Sequence, residues 1–193
     1  SDQNSYDDTD EILYRYNIES LVPGNVIKLI QSGKNGEVSE TPKPGSKVFQ
    51  RTDNLLLGSN ISALQGAAKK ARELGYEPVI VSSRITGEAR EIAKYYAALA
   101  ADIALEKSSF SPPVCLIGGG ETTVTIRGNG LGGRNQEMVL AFADILKNKP
   151  EILKNGVFLS AGTDGNDGPT DSAGGICDKS VLDRIHENKI STQ

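Results

Sequence analysis

Arg134 stands at the end of a glycine cluster, Gly128-Asn129-Gly130-Leu131-Gly132-Gly133. A guanidinium is a permanently charged fork that suits phosphate or carboxylate oxygens. Glycines ahead of a helix let such a group approach the free N–H groups of the first turn, where Asn135 and Gln136 follow. A second cluster, Gly118-Gly119-Gly120-Glu121-Thr122-Thr123, strips away side-chain bulk and then offers threonine hydroxyls that can donate to phosphate oxygens. A third, Gly162-Thr163-Asp164-Gly165-Asn166-Asp167-Gly168-Pro169-Thr170-Asp171, holds three carboxylates within eight residues, the donor type that hard divalent cations take. Each cluster also has a plain structural reading. The first can be a flexible hairpin tip with a solvated arginine, the second a tight turn needing positive φ, and the third an Asx-turn loop whose aspartates bond their own backbone.

Several other chemistries are excluded or weakened. Gly128 through Gly133 matches G-x-G-x-x-G literally, but the segment before it alternates like an edge strand. About 20 residues on, where a ribose-binding acid is needed, stand Asn148 and Lys149. No Walker A sequence occurs. Asp164, Asn166 and Gly168 fall on the first, third and fifth places of an EF-hand register, but no Glu falls on the twelfth. His186 is the chain's one histidine, so neither a multi-histidine metal site nor a Ser-His-Asp triad is indicated. Cys115 and Cys177 form no disulfide framework and no zinc cluster. With 21 basic and 25 acidic side chains the net charge is −4, which argues against nucleic acid as a main partner. No apolar run approaches the roughly 20 residues of a spanning helix.

The elements that must position these residues read as follows. Residues 5–33 form two short helices, with Ser5 or Asp7 as first cap, Ile12, Leu13 and Tyr16 on one stripe, Val26, Ile27 and Ile30 on the other, and Gly33 as stop. Residues 34–52 are an extended connector, which sets a boundary before an α/β domain at 53–193. Leu55-Leu56-Leu57-Gly58 reads as a buried strand leading to a cap at Ser59-Asn60 and a helix to Gly75. Pro78–Val81, Val114–Ile117 and Val157–Ser160 are further buried strands, and Thr122–Arg127 a half-exposed one. Helices are predicted over Gly87–Lys107, Asn135–Lys147 and Ser180–Asn188, with Glu88, Arg90, Glu91 and Lys94 outward on the first of them. Unalternating strands separated by crossover helices predict an α/β three-layer sandwich with a mostly parallel sheet. In such sheets ligands sit beyond the carboxyl ends of the strands. That rule selects Gly58-Ser59-Asn60, Ser82-Ser83, Gly118–Glu121 and Gly162–Gly165, with the cluster before Arg134 beside them. Cys115 and Tyr95-Tyr96 read as packing residues and His186 as solvated.

Three of these segments carry a family resemblance. Gly119-Gly120-Glu121-Thr122-Thr123-Val124, Gly132-Gly133-Arg134-Asn135-Gln136-Glu137 and Ser160 through Asp171 closely resemble, in order and spacing, the MOFRL region of the class II glycerate kinases, also described as hydroxypyruvate reductases. Thr41-Pro42-Lys43-Pro44-Gly45 through Gly58-Ser59-Asn60 and Ser82-Ser83 is similar to the preceding part of that family. The resemblance implies phosphoryl transfer from ATP, with Mg2+, to D-glycerate, giving 2-phosphoglycerate in a cleft between two α/β domains. It implies catalytic roles for Arg134 and Asp164. Gly119, Gly120, Glu121, Thr122, Gly132, Gly133, Asn135, Gln136, Ser59, Asn60, Thr163, Gly165 and Asp167 would contact substrate or phosphate, with Asp164 and Asp167 as metal ligands.

The family's N-terminal domain, with its essential lysine, and its C-terminal Thr-Gly-Pro-Thr-Gly-Thr-Asn segment have no counterpart between Ser1 and Gln193. The chain therefore reads as a fragment, expected to lack kinase activity alone and to work against the missing N-terminal domain. The alternatives are an NAD(P)H-dependent hydroxypyruvate reductase and a non-catalytic nucleotide- or carboxylate-binding module. No signal peptide is visible, and two unpaired cysteines point to a reducing compartment, the cytoplasm, with the mitochondrion also open. Assembly, a homodimer included, is left open.

Overall fold

The computed structural model describes residues 2–188. They fall into two compact units, Ser1–Leu57 and Gly58–Gln193; the composition shift had suggested a division at 52/53.

In the first unit, helix α1 (Tyr6–Arg15) is closed by a reciprocal capping box: the Asp8 N–H donates to Ser5 Oγ at 3.1 Å and the Ser5 N–H to the Asp8 carboxylate at 2.7 Å. Helix α2 (Gly24–Lys34) runs one residue beyond Gly33. That glycine is not a stop. The ring of Tyr6 lies where its Cβ would be, so bare backbone lets the two helices approach, with Leu13 and Ile30 buried. Leu55-Leu56-Leu57 is not a strand: these residues join no ladder and are each 80% or more exposed. Apolar sequence makes a buried strand only where neighbours supply hydrogen bonds and cover, and none does so among the described residues.

The second unit is α/β, with the parallel pairing that its sequence implied. Strand β1 (Glu77–Glu88) pairs in parallel with β2 (Val114–Thr123). Helix α3 (Asn60–Glu73) packs on both, burying Leu64 and Ala68 against Ile117. Helix α4 (Ala89–Ala104) presents an alanine row, Ala89, Ala93 and Ala97, to the larger core. Helix α5 (Arg134–Leu146) brings Met138, Phe142 and Leu146 to it, and α6 (Lys179–Glu187) brings Leu182. Phe142 stacks on Phe158 with ring centroids 4.2 Å apart, and Tyr96 packs against Phe158 at 5.5 Å. Tyr96 is a packing residue, as expected, and His186 is exposed. Cys177 is fully buried and its thiol is pushed up to about 11 by burial, as befits an inert core side chain. No described helix is long and apolar enough to cross a membrane.

Four sequence expectations change in this unit. First, β1 is a 12-residue strand that absorbs Ser82-Ser83 and also Gly87-Glu88, so α4 starts at Ala89. Its ladder slips between Ile80 and Ser82 and again between Ser82 and Ile85. Secondly, the glycine triplet is inside β2 rather than beyond it. A Cβ on Gly120 would enter the Ile85 backbone, one on Gly118 would strike Tyr96 and Ile85, and one on Gly119 would meet Asn60 and Leu64. The triplet thus lets strand, strand and helix close on one another. Thirdly, residues 124–127 are not in a strand. Fourthly, Val157–Ala161 (β3) pairs antiparallel with Gly174–Asp178 (β4), a strand hidden by its two glycines. β3 has one covered face and one open one, with Val157 and Leu159 exposed, so it is not the doubly buried strand that its apolar run suggested.

Candidate functional site

A hollow lies beside the carboxyl-terminal halves of β1 and β2. An open groove of about 710 Å³ is lined by Gly58, Ser59, Asn60 and Ala63 at the start of α3, Ser83 to Thr86 on β1, Gly120 and Glu121 on β2, and Thr163 from the loop after β3. Ser59 caps α3, its Oγ accepting from the Ser62 N–H at 3.4 Å. Asn60 ties α3 to the irregular part of β1 by donating from Nδ2 to the Ser83 carbonyl at 2.6 Å. Seven of the sequence candidates, Gly58, Ser59, Asn60, Ser83, Gly120, Glu121 and Thr163, therefore share one surface.

Arg134 reaches this surface. Its Nη1 lies 2.7 Å from Glu121 Oε1. Glu121 is 74% exposed at the side chain and Arg134 41%, so the pair contributes at most about 1 kcal/mol and releases easily to a competing anion.

Behind Arg134 lies a buried polar knot. Asp167, only 2% exposed, sits across the start of α5. Its Oδ1 accepts from the Asn135 backbone N–H and from Asn135 Nδ2, both at 3.0 Å. Its Oδ2 accepts from the Gln136 N–H at 2.9 Å and from Gln136 Nε2 at 3.1 Å. Ser160 Oγ donates to Asn135 Oδ1 at 2.7 Å, and Gln136 Nε2 also reaches Thr170 Oγ1 at 3.0 Å. Helix α5 has no side-chain cap of its own, because its cap residue is Gly133; a carboxylate 32 residues away fills that role and suits the positive end of the helix. Burial works to raise the Asp167 pKa, but the backbone and side-chain hydrogen bonds from Asn135 and Gln136 outweigh it and hold the carboxyl below its ordinary value. A carboxylate offers about four lone-pair sites, and here N–H donors take all of them. Asp167 is accordingly a cap, with both oxygens engaged by N–H donors. Asn135 and Gln136 likewise spend their side chains on this knot.

The glycines next to it follow from the same packing. A Cβ on Gly133 would enter Asp167, and one on Gly168, at φ +64°, would strike the Gly132 carbonyl. By contrast, a Cβ on Gly128, Gly130 or Gly132 would meet open space, and Gly128 and Gly130 are exposed. The segment they stand in begins after β2 has ended at Thr123, so the literal glycine fingerprint is no strand-to-helix turn.

Asp164 is exposed in a turn closed by the Gly165 N–H donating to the Gly162 carbonyl at 3.1 Å, with Gly165 at φ +86°. Its Oδ1 accepts from the Asn166 N–H at 3.3 Å, an Asx turn with carboxylate capacity to spare. Among the described residues no group of three His, Cys, Asp or Glu side chains could hold a metal. Thr122 is buried within β2. Two partnerships were not legible in the sequence. Glu88, expected to point outward, accepts from the Thr125 N–H at 3.1 Å and Thr125 Oγ1 at 2.8 Å, and the Thr125 hydroxyl is the main cause of its lowered pKa. Arg90 pairs with Glu137, joining α4 to α5. Arg84 is a groove residue that the strand pattern missed; the only signal was a guanidinium just past an apolar run.

Residues 114–193 match the MOFRL family. Along its whole length the chain is 35% identical to a "Glycerate 2-kinase" of Pyrococcus horikoshii, covering 42% of that protein. It is 36% identical to a "D-glycerate 2-kinase" of Thermotoga maritima, over 93% of this chain and 39% of the other. The solved Thermotoga maritima structure titled glycerate kinase superposes with a TM-score of 0.71 at 32% identity, over 99% of this chain and 42% of that one. Over nearly its whole length the chain is thus similar to glycerate kinases, and its residues 114–193 match the MOFRL model. It spans about 42% of the length of the Pyrococcus relative. The glycerate kinase motifs quoted above fall on the groove rim and on the Asp167 knot, so the resemblance and the geometry meet on the same residues.

Proposed function

We propose that this chain forms one wall of the active site of an ATP-dependent glycerate 2-kinase, in which a hydroxyl of D-glycerate takes the γ-phosphoryl group to give 2-phosphoglycerate. The observation that supports it is the convergence of Arg134, Glu121 and the groove beside β1 and β2, with the start of α5 held behind them. In this reaction the substrate oxygen bonds to the γ-phosphorus, the bond to the bridging oxygen of ADP breaks, and the hydroxyl proton departs. Little covalent chemistry falls to the protein; positioning and charge neutralisation dominate. Arg134 would leave Glu121 for the oxygens of the transferring group. The Asp167 cap keeps the guanidinium's helix from shifting. Thr163 and the backbone around Gly120 would line the path of the small substrate. Mg2+, when bound with the nucleotide, would draw charge from the phosphate oxygens; Asp164, with oxygens still open, fits a single assisting ligand, and Asp167 does not.

The test is a coupled assay for ATP-dependent phosphoglycerate formation by the full natural polypeptide and its Arg134→Ala variant. Loss of such an arginine should lower kcat by roughly 1,000-fold. A raised KM with kcat intact would favour a pure binding module instead. Absence of any ATP-dependent phosphoglycerate from the full polypeptide would overturn the reading. The 193 residues alone are expected to give no turnover.

A further inference from the structure

We propose that Arg84 is an anion-positioning residue of the same groove and that its occupant is the phosphate tail of the nucleotide, an assignment that rests on the kinase reading above. Arg84 is the one cation among the groove's lining residues. No carboxylate pairs with it among the described residues, whereas Glu121, the groove's one acid, is taken up by Arg134. Its place is set by the slipped ladder of β1: between Ser82 and Ile85 the register breaks, and the Arg84 N–H donates to Ser82 Oγ at 3.1 Å instead of continuing the pairing. Such breaks re-aim side chains at sheet rims next to sites. The hydroxyl-bearing residues Ser59, Ser83, Thr86 and Thr163 also line the groove. A chain of tetrahedral phosphates presents many oxygens over several ångströms and needs donors distributed in this way. A small hydroxy acid presents one carboxylate, which a single arginine fork satisfies. Arg84 in the groove therefore serves the nucleotide phosphates, and Arg134, held at its rim by Glu121, the reacting group.

The experiment uses the full natural polypeptide, with Arg84→Ala, Arg84→Lys and, as a control at the far end of α3, Arg72→Ala. Binding of inorganic tripolyphosphate is measured by calorimetry, and KM for ATP and for glycerate by the coupled assay. Removing a charged donor should weaken tripolyphosphate binding and raise KM for ATP by roughly 10- to 100-fold. Arg84→Lys should recover part of that loss, Arg72→Ala should show none, and KM for glycerate should stay within about twofold. Circular dichroism establishes that each variant is folded; if Arg84→Ala is not, the lysine variant carries the comparison. A rise in KM for glycerate alone, or no change in tripolyphosphate binding, would overturn the inference. If tripolyphosphate binding falls in Arg84→Ala while no preparation makes phosphoglycerate, the anion site stands and the kinase reading fails.

Discussion

Replacing Asp167 by asparagine tests whether the knot behind Arg134 is structural. The substitution keeps volume and shape but exchanges one acceptor oxygen for an NH2 group. Whichever way the new amide turns, it confronts either the two donors of Asn135 or the two of Gln136. Turned toward Gln136, it leaves that residue's backbone N–H and its own NH2 unpaired, since Gln136 Nε2 keeps the Asp167 carbonyl and Thr170 Oγ1. Turned toward Asn135, it orphans two donors in a site that is 2% exposed at Asp167 and 9% at Asn135. At about 1–3 kcal/mol for each buried group left unpaired, relaxation at one of them leaves a net cost of roughly 3 kcal/mol. With a urea slope of about 2 kcal/mol/M, the unfolding midpoint should fall by about 1.5 M at pH 7, followed by far-ultraviolet circular dichroism. The pH dependence has a definite sign. The folded-state pKa of Asp167 is lowered, so its stabilisation is fully present above the unfolded value near 3.8 and is lost as pH falls through the folded value. The gap between wild type and variant should thus hold from pH 7 to about 5 and shrink below about pH 4. The difference between the two proteins is the quantity to follow, since Glu88 and Asp178 also have lowered pKa values and titrate in both. A midpoint change below about 0.4 M, or a defect that added Mg2+ repairs, would refute the cap and restore Asp167 as a metal ligand.

Two other substitutions probe the packing. Gly120→Ala places a methyl group against the Ile85 backbone and should cost at least about 1–3 kcal/mol, measured by urea unfolding, because backbone cannot swing aside as a flexible side chain does; an unchanged midpoint would mean that the triplet serves no packing purpose. Phe142→Ala removes the ring stacked on Phe158 in a position 1% exposed and should cost about 3–5 kcal/mol by the same measurement; a loss under 1 kcal/mol would place the core elsewhere.

Much of the fold was legible in the residue order. Six helices follow from apolar periodicity and end signals, and the Ser5 and Ser59 caps from hydroxyls one residue ahead of their helices, all interactions that span only a few residues. The motifs that mark the site were legible too, as clusters of glycine, carboxylate and a guanidinium.

What those clusters do depended on contacts remote in sequence. The glycine triplet resembled a ligand loop until Ile85, 35 positions earlier, proved to run alongside Gly120. Leu55–Leu57 looked like a core strand, and β4 like no strand, because ladder partners rather than composition decide both. Residue order determined by itself that Asp167 and Arg134 carry opposite charges in glycine-rich settings. Only the tertiary structure decided that the carboxylate is spent on the helix start while the guanidinium stays at the rim. Local propensity acts over one turn or one strand, whereas the filling of a carboxylate's lone pairs depends on which distant donors folding delivers.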